Sequence, residues 1–308
     1  MPNEIVILGV FVADTTYRAE RPPRMGETIL GNSFALGPGG KGSNQAVAAA
    51  RAGGNAHFIT KLGQDPFADM ALAIWKDAGV TPQITQHADS YTGAAYIFVE
   101  EASGDNAIIV CPGVARSISP DYIDRHRDLI ANASVFMTQL EQPMDAALRA
   151  LQIAKAGGAT TILNPAPAAD LSDEMLALCD YVTPNESETE GITGLPVTTL
   201  DEAREAAELL LAKGVGAAII TLGENGALYH DATDSVHVPA VSAGDVVETT
   251  GAGDAFNGGF AAALSQGSTP IEAVRFGCAT AGISVTRPGT APSMPKRAEI
   301  QQLLASIT

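Results

Sequence analysis

Glu248-Thr249-Thr250-Gly251-Ala252-Gly253-Asp254-Ala255-Phe256-Asn257-Gly258 carries more structural information than any other segment of this 308-residue chain. A β-like run, Ala240 to Val247, precedes it, and a helix of small residues follows to about Gln266. Gly251, Ala252 and Gly253 have almost no side chain, so their N–H groups are expected at an open helix N-terminus. There four donors lack an intrahelical partner and the helix dipole is positive. Such a terminus binds anions, phosphate foremost. Asp254 follows in the first turn. A carboxylate beside a phosphate nest can take a proton from a hydroxyl that attacks phosphorus. The plainer reading is a tight turn capping a core helix, and these residues alone divide evenly between the two.

Far upstream, Gly37-Pro38-Gly39-Gly40-Lys41-Gly42-Ser43-Asn44 precedes an alanine-rich helix from Gln45 to Ala52. It is not a Walker A loop: Gly42 follows Lys41 where Ser or Thr is required, and Ala35 stands where the first glycine would fall. Glycine still lets backbone approach a small polar ligand, and Lys41 and Asn44 could donate to hydroxyls. Read alone, a flexible loop with a solvated lysine is favoured.

Formal net charge is −17, with no basic stripe, which argues against nucleic acid as a partner. No apolar run reaches membrane-span length, and Met1-Pro2-Asn3-Glu4 lacks a basic leader. Cys111, Cys179 and Cys278 are odd in number, lack metal-ligand spacing and read as reduced core cysteines of a cytoplasmic protein.

Strand and helix patterns alternate. Strands are expected at Ile5 to Val10, Ala56 to Thr60, Ser134 to Gln139, Thr160 to Leu163, Tyr181 to Val182 and Ala217 to Thr221. Helices are expected at Pro66 to Ala78, Pro143 to Ala156, Asp201 to Lys213 and Ile271 to Ser284. This alternation predicts an α/β fold with a mostly parallel sheet between helical layers. Asp14 to Phe34 and Gly93 to Cys111 break the pattern and read as a small antiparallel sheet, a lid over the crevice at the strand ends. No linker divides the chain, so residues 1–308 form one domain with segments 14–34 and 93–111 as its lid.

In these motifs the chain resembles ribokinase-type sugar kinases of the PfkB carbohydrate kinase family. The resemblance spans essentially the whole sequence. Its carriers are Gly39 to Ala46, Gln139-Leu140-Glu141, Asn164 to Ala168, Thr183 to Glu188, Thr221-Leu222-Gly223 and Thr249 to Asp254. It implies a ribokinase-like α/β fold and a β lid that also forms a homodimer interface. It implies ATP and a small sugar as substrates and Mg²⁺ as cofactor, with K⁺ as a candidate activator. Asp254 would be the general base for a primary hydroxyl. Gly251, Ala252 and Gly253 would stabilise the transferring phosphoryl group. Asn185 and Glu188 match a motif that organises Mg²⁺ through water; a helix capping box has the same spacing and remains open as an alternative. Thr221, Gly223 and Gly226, with Asn185, would hold the nucleotide. Asp14, closing the first strand, would contact sugar together with Gly40, Lys41, Asn44 and Glu141; a surface charge is the plain alternative for Glu141. The five histidines match no family site and read as structural or solvated.

Two departures stand out. The family commonly reads Asn-Ala-Asp where this chain has Val12-Ala13-Asp14. A valine there withdraws a hydrogen-bond partner from one sugar hydroxyl, or simply repacks beside a water. Glu248 stands where the family places an aspartate of a monovalent cation site, while Thr250, Gly289 and Ser293 keep neighbouring positions. The cation site is then either altered in selectivity or lost. The expected activity is transfer of the γ-phosphoryl group of ATP to ribose. The alternatives are a kinase for 2-deoxyribose, another sugar or a nucleoside, and a catalytically silent binding regulator. A dehydrogenase is disfavoured because no G-x-G-x-x-G follows the first strand.

Overall fold

The computed structural model describes residues 3–307. Nine strands form the main sheet: β1 (Glu4–Leu8), β4 (Asn55–Gly63), β5 (Thr81–His87), β8 (Val135–Thr138), β9 (Thr160–Leu163), β10 (Tyr181–Val182), β11 (Ala217–Thr221), β12 (Ala227–Asp231) and β13 (Ser235–Val238). Their spatial order is β13-β12-β11-β10-β9-β8-β1-β4-β5. All neighbours run parallel except the β11–β12 and β12–β13 pairs. Four further strands, β2 (Val12–Ala19), β3 (Ser33–Gly39), β6 (Thr92–Glu100) and β7 (Asn106–Gly113), make a separate sheet in the order β3-β2-β6-β7. This is the lid.

The helices are α1 (Lys41–Arg51), α2 (Pro66–Ala78), α3 (Pro120–Asp124), α4 (Arg127–Ala131), α5 (Met144–Gly157), α6 (Asp173–Ala177), α7 (Glu186–Thr193), α8 (Leu200–Ala212), α9 (Ala252–Ser265), α10 (Pro270–Ser284) and α11 (Arg297–Ser306). Side chains alternate across β1. Ile5 and Ile7 join one buried cluster with α1, α9 and α10, whereas Val6 and Leu8 join another with α5 and α8. The sheet therefore needs apolar residues on both faces, as a parallel sheet between helices does. Gly258, the last residue of the decisive stretch, sets how closely α9 meets α1. A Cβ there would lie 2.4 Å from Ala48 Cβ and 2.7 Å from the Gln45 carbonyl.

Several expectations need correction. Ala240 to Val247 is not a strand. Gly244 interrupts it at φ 146°, and no sheet partner lies beside it; Val247 and Glu248 instead donate to the Val285 carbonyl at the end of α10. Asp14 does not close the first strand. β1 ends at Leu8, the chain turns at Gly9, and Asp14 is the third residue of β2 in the lid. The lid is not wholly antiparallel: its central pair, β2 and β6, is parallel, because these strands are joined through β4 and β5 rather than by a hairpin. The first helix begins at Lys41, four residues before Gln45. Cys111 is exposed on β7, so only Cys179 and Cys278 are core cysteines. No helix among the described residues is long and apolar enough to cross a membrane.

Candidate active site

The site residues gather at the carboxyl ends of the central strands, where open α/β sheets hold ligands. Glu141 follows β8, Asn164 follows β9, Thr183 follows β10 and Thr221 ends β11. A cleft of about 170 Å³ at these ends is lined by Lys41, Asn185, Glu188, Thr221 and the Gly251–Asp254 turn.

Gly251 caps α9 at φ 84°, a left-handed conformation that glycine adopts without steric cost. No side chain caps this terminus. The Ala252 N–H donates to Thr249 O at 3.1 Å, so one of the three expected donors closes a turn. The N–H groups of Gly253 and Asp254 have no acceptor among the described residues. The Gly251 N–H also has no acceptor among the described residues, so three donors stay open at this terminus.

Asp254 is buried, and both its oxygens are held by amides. Asn44 Nδ2 donates to Oδ2 at 2.9 Å and Gln45 Nε2 to Oδ1 at 3.0 Å. Burial pushes its pKa up, while the Lys41 ammonium and the two amides pull it down. Asn44 Oδ1 is buried without a partner, an acceptor available to a ligand hydroxyl.

Asp14 reaches towards the same carboxylate from the lid. Its pKa rises to about 6, through burial first and then the Asp254 charge. A Cβ on Gly39 would lie 2.1 Å from Asp14 Oδ2, so glycine at 39 is what lets this carboxyl lean across β3. Val12 is two residues before Asp14 and shares its face of β2. It is buried yet belongs to neither core cluster. Gly40 shapes the backbone at this point. At φ 88° it turns the chain from lid strand β3 into α1, and a Cβ would meet Val10 O at 2.5 Å.

Glu141 accepts from the Lys41 backbone N–H at 2.8 Å. Burial raises its pKa to about 7; the Lys41 ammonium opposes this, while the Asp254 and Asp14 charges add to it. The folded pKa lies above the unfolded one, so the fold favours the protonated acid. This contribution is complete below about pH 4.5 and is lost as pH rises towards 7. Replacing Glu141 with Gln removes the loss. The side chain keeps some contact with water, so Glu141→Gln should gain stability over wild type by about 1–2 kcal/mol between pH 5 and pH 8. Urea unfolding at the two pH values measures it, and a pH-independent gap would refute the assignment.

Asn185 and Glu188 form a complete capping box at the start of α7. Glu188 Oε2 accepts from the Asn185 N–H at 2.9 Å, yet both residues also line the cleft. Burial raises the Glu188 pKa, opposed by the Asn185 N–H and Lys41. Among the described residues, no group of three or more acidic, His or Cys side chains could hold a metal. An amide oxygen and a carboxylate on the cleft wall suit an ion carried largely by substrate phosphates and water, as Mg²⁺ usually is. Lys41, expected on the sugar side, lines this cleft as well.

Gly223 and Gly226 lie outside the cleft lining. Gly226, at φ 93°, lets the β11–β12 connection pass under β13, where a Cβ would meet Val238 O at 2.1 Å. Glu248 and Gly289 do come together: the Gly289 N–H donates to Glu248 Oε2 at 2.8 Å. Ser293 donates to Thr290 O, and Thr290 to Pro38 O, which ties this loop to the base of the lid. Thr250 is exposed. Asn164, Thr183 and Asn257 line the cleft without having been singled out as site residues. Each stands within a quoted motif; the only other signal was an uncharged polar residue placed after an apolar strand or inside a small-residue helix.

The chain belongs to the pfkB family of carbohydrate kinases, whose description "pfkB family carbohydrate kinase" covers residues 2–297. A ribokinase of Staphylococcus aureus (strain COL) is 37% identical over 306 residues, 98% of this chain and 100% of that protein. A deoxyribokinase of Salmonella typhi is 36% identical over 304 residues, 98% of this chain and 99% of that protein. Among solved structures, an Arabidopsis thaliana ribokinase complexed with ribose and ATP superposes with a TM-score of 0.94 at 29% identity, covering 99% of each chain.

Proposed function

We propose that this enzyme is a ribokinase: it transfers the γ-phosphoryl group of ATP to the primary hydroxyl of ribose and yields ribose 5-phosphate and ADP. The observation that carries the reading is the juxtaposition of a buried carboxylate, Asp254, with the open N-terminus of α9. Asp254 takes the proton of the attacking hydroxyl. The hydroxyl oxygen bonds to the γ-phosphorus as the bridging bond to ADP breaks. The turn Gly251–Asp254, helped by Lys41, balances negative charge on the phosphoryl oxygens. Asn185 and Glu188 are the residues that would hold Mg²⁺, through water. When bound, the ion would neutralise phosphate charge. Thr221, with Gly223 and Gly226 in the loop behind it, supports the nucleotide. Asp14, Asn44 and Glu141 accept from sugar hydroxyls. A coupled assay of ADP release across pentoses, hexoses and nucleosides tests the reading; ribose should give the highest kcat/KM, and ADP release independent of any sugar would refute it.

One observation favours a second reading, phosphorylation of 2-deoxyribose. Val12 lies on the sugar-facing side of β2 and offers no hydrogen bond. An unpaired hydroxyl in a closed site costs ~1–3 kcal/mol. Val12→Asn should therefore raise kcat/KM for ribose over 2-deoxyribose by roughly 1–3 kcal/mol. An unchanged ratio would remove Val12 as a determinant.

The chain works as one unit, the lid closing on the main sheet, in the cytoplasm. The lid also supports a homodimer. Its outer face exposes Tyr17, Phe34, Leu36, Tyr96 and Ile109, with the Tyr17 ring 5.1 Å from Phe34 and 5.5 Å from Tyr96. Such a contiguous apolar face suits burial against a second copy. Tyr17→Asp with Ile109→Asp should yield a monomer in sedimentation equilibrium; an unchanged mass for both proteins would refute the interface. Glu248 and Gly289 are the residues proposed for a monovalent cation, and the same ADP assay in K⁺ and in tetramethylammonium tests it by the ratio of rates.

A further inference from the structure

Gln45 is fully buried, on the α1 turn that also carries Lys41 and Asn44. Both its N–H donors and its oxygen have partners. Nε2 donates to Asp254 Oδ1 at 3.0 Å and to Asn164 Oδ1 at 3.0 Å, and Oε1 accepts from Gln139 Nε2 at 2.5 Å. A carboxylate only accepts, so the amide nitrogen must face Asp254. The Gln139 donor behind it locks that orientation. Gln139 in turn lies in a slot that Gly9 and Gly42 leave open: a Cβ on either would come within 2.7 Å of Gln139 Oε1. The same chain of bonds continues forward. Asn164 Nδ2 donates to Thr183 O at 3.0 Å, Thr183 Oγ1 to Asn257 Oδ1 at 2.6 Å, and Asn257 Nδ2 to Gly253 O at 2.8 Å. It begins and ends on the turn that holds both the carboxylate and the phosphate-facing N–H groups.

We infer that Gln45 is a positioning residue for phosphoryl transfer: its locked amide fixes the rotation of the Asp254 carboxylate and couples that rotation to the Gly251–Asp254 turn. The inference rests on Asp254 being the base. Gln45 has no exposed surface through which to touch sugar or ATP. Its effect therefore falls on turnover and on the protonation of Asp254, leaving sugar binding in place. A carboxylate that loses one of two buried donors is harder to ionise. The other groups that face Asp254 are Lys41 of α1, Asp14 of β2, Glu141 after β8 and Glu188 of α7. All four remain in a Gln45 variant, so the difference from wild type reads the missing amide.

Gln45→Met keeps the length and removes both donors. Its kcat is expected to fall about 10- to 100-fold, the loss of one hydrogen bond to a charged group. The sugar Kd by calorimetry should stay within about threefold, and the acid limb of kcat/KM should move up by about one pH unit. Gln139→Met leaves the contact with Asp254 but unlocks the amide, and should shift the same limb in the same direction by less. If Gln45→Met does not fold, Gln139→Met alone decides by that shift. Wild-type kcat and an unmoved limb in a folded Gln45→Met, beside an inactive Asp254→Asn, would overturn the inference and leave the base in place. An active Asp254→Asn would overturn the base itself.

Discussion

Asp254→Asn is expected to lower kcat at least 10²- to 10⁴-fold, the usual contribution of a general base. The replacement keeps the size of the side chain and removes the proton acceptor. Asn44 and Gln45 both donate to the native carboxylate. One of those donors would face an amide NH₂ in the variant, so Tm must be measured alongside. Sugar affinity should change much less than kcat, since the sugar contacts proposed for Asp14, Asn44 and Glu141 are left in place. Single-turnover kinetics with calorimetric Kd values separate the two effects. A folded variant retaining more than about a tenth of wild-type kcat would mean that positioning and the anion site suffice without a base.

Gly39→Ala should act on the opposite parameter. The added methyl occupies the space of the Asp14 carboxyl, 2.1 Å from Oδ2 and 2.4 Å from Cγ. Gly39 ends β3 without a positive φ, so the backbone itself tolerates alanine. The carboxyl must swing away from its present position, the one proposed to meet the sugar. A hydrogen bond to a charged group is worth roughly 1.5–3 kcal/mol, so the sugar Kd should rise about 10- to 100-fold per hydroxyl lost. The KM for ATP should hold. Asp14→Ala should cost as much, and the double variant little more, because both remove one interaction. A sugar Kd unchanged in Gly39→Ala would take Asp14 out of the binding site.

The two variants mark what was legible in the sequence. The setting of Asp254 could be read because it is local: glycines, a helix start and an acid within one turn. Helix α2 was legible to the residue, from Pro66 after its Asp65 cap to the left-handed Gly79, because caps and turn residues are local too. Ala240 to Val247 misled, since its three valines suit a strand only if a partner strand exists. Asp14 was assigned to the wrong element, yet its carboxyl does come near enough to feel the Asp254 charge, because β1 delivers the chain directly into the lid. The lid's parallel pair depends on β4 and β5 intervening, which no short pattern reveals. The amides around Asp254 were least legible. Gln139 and Gln45 are 94 residues apart, and Gln45 and Asp254 are 209 apart. A glutamine in an alanine-rich helix carries no sign of such a partner until the fold supplies it.

The position of the transferred phosphoryl group tests the central claim most directly. Ribose and ATP are incubated with the enzyme, and the products are followed by proton-coupled ³¹P NMR. The account predicts ADP in equal amount to a single phosphomonoester whose phosphorus couples to the two protons of the primary carbon, with no product from 5-deoxyribose. Inorganic phosphate as the sole partner of ADP, a phosphorus coupled to one proton at another ring carbon, or turnover of 5-deoxyribose would contradict it.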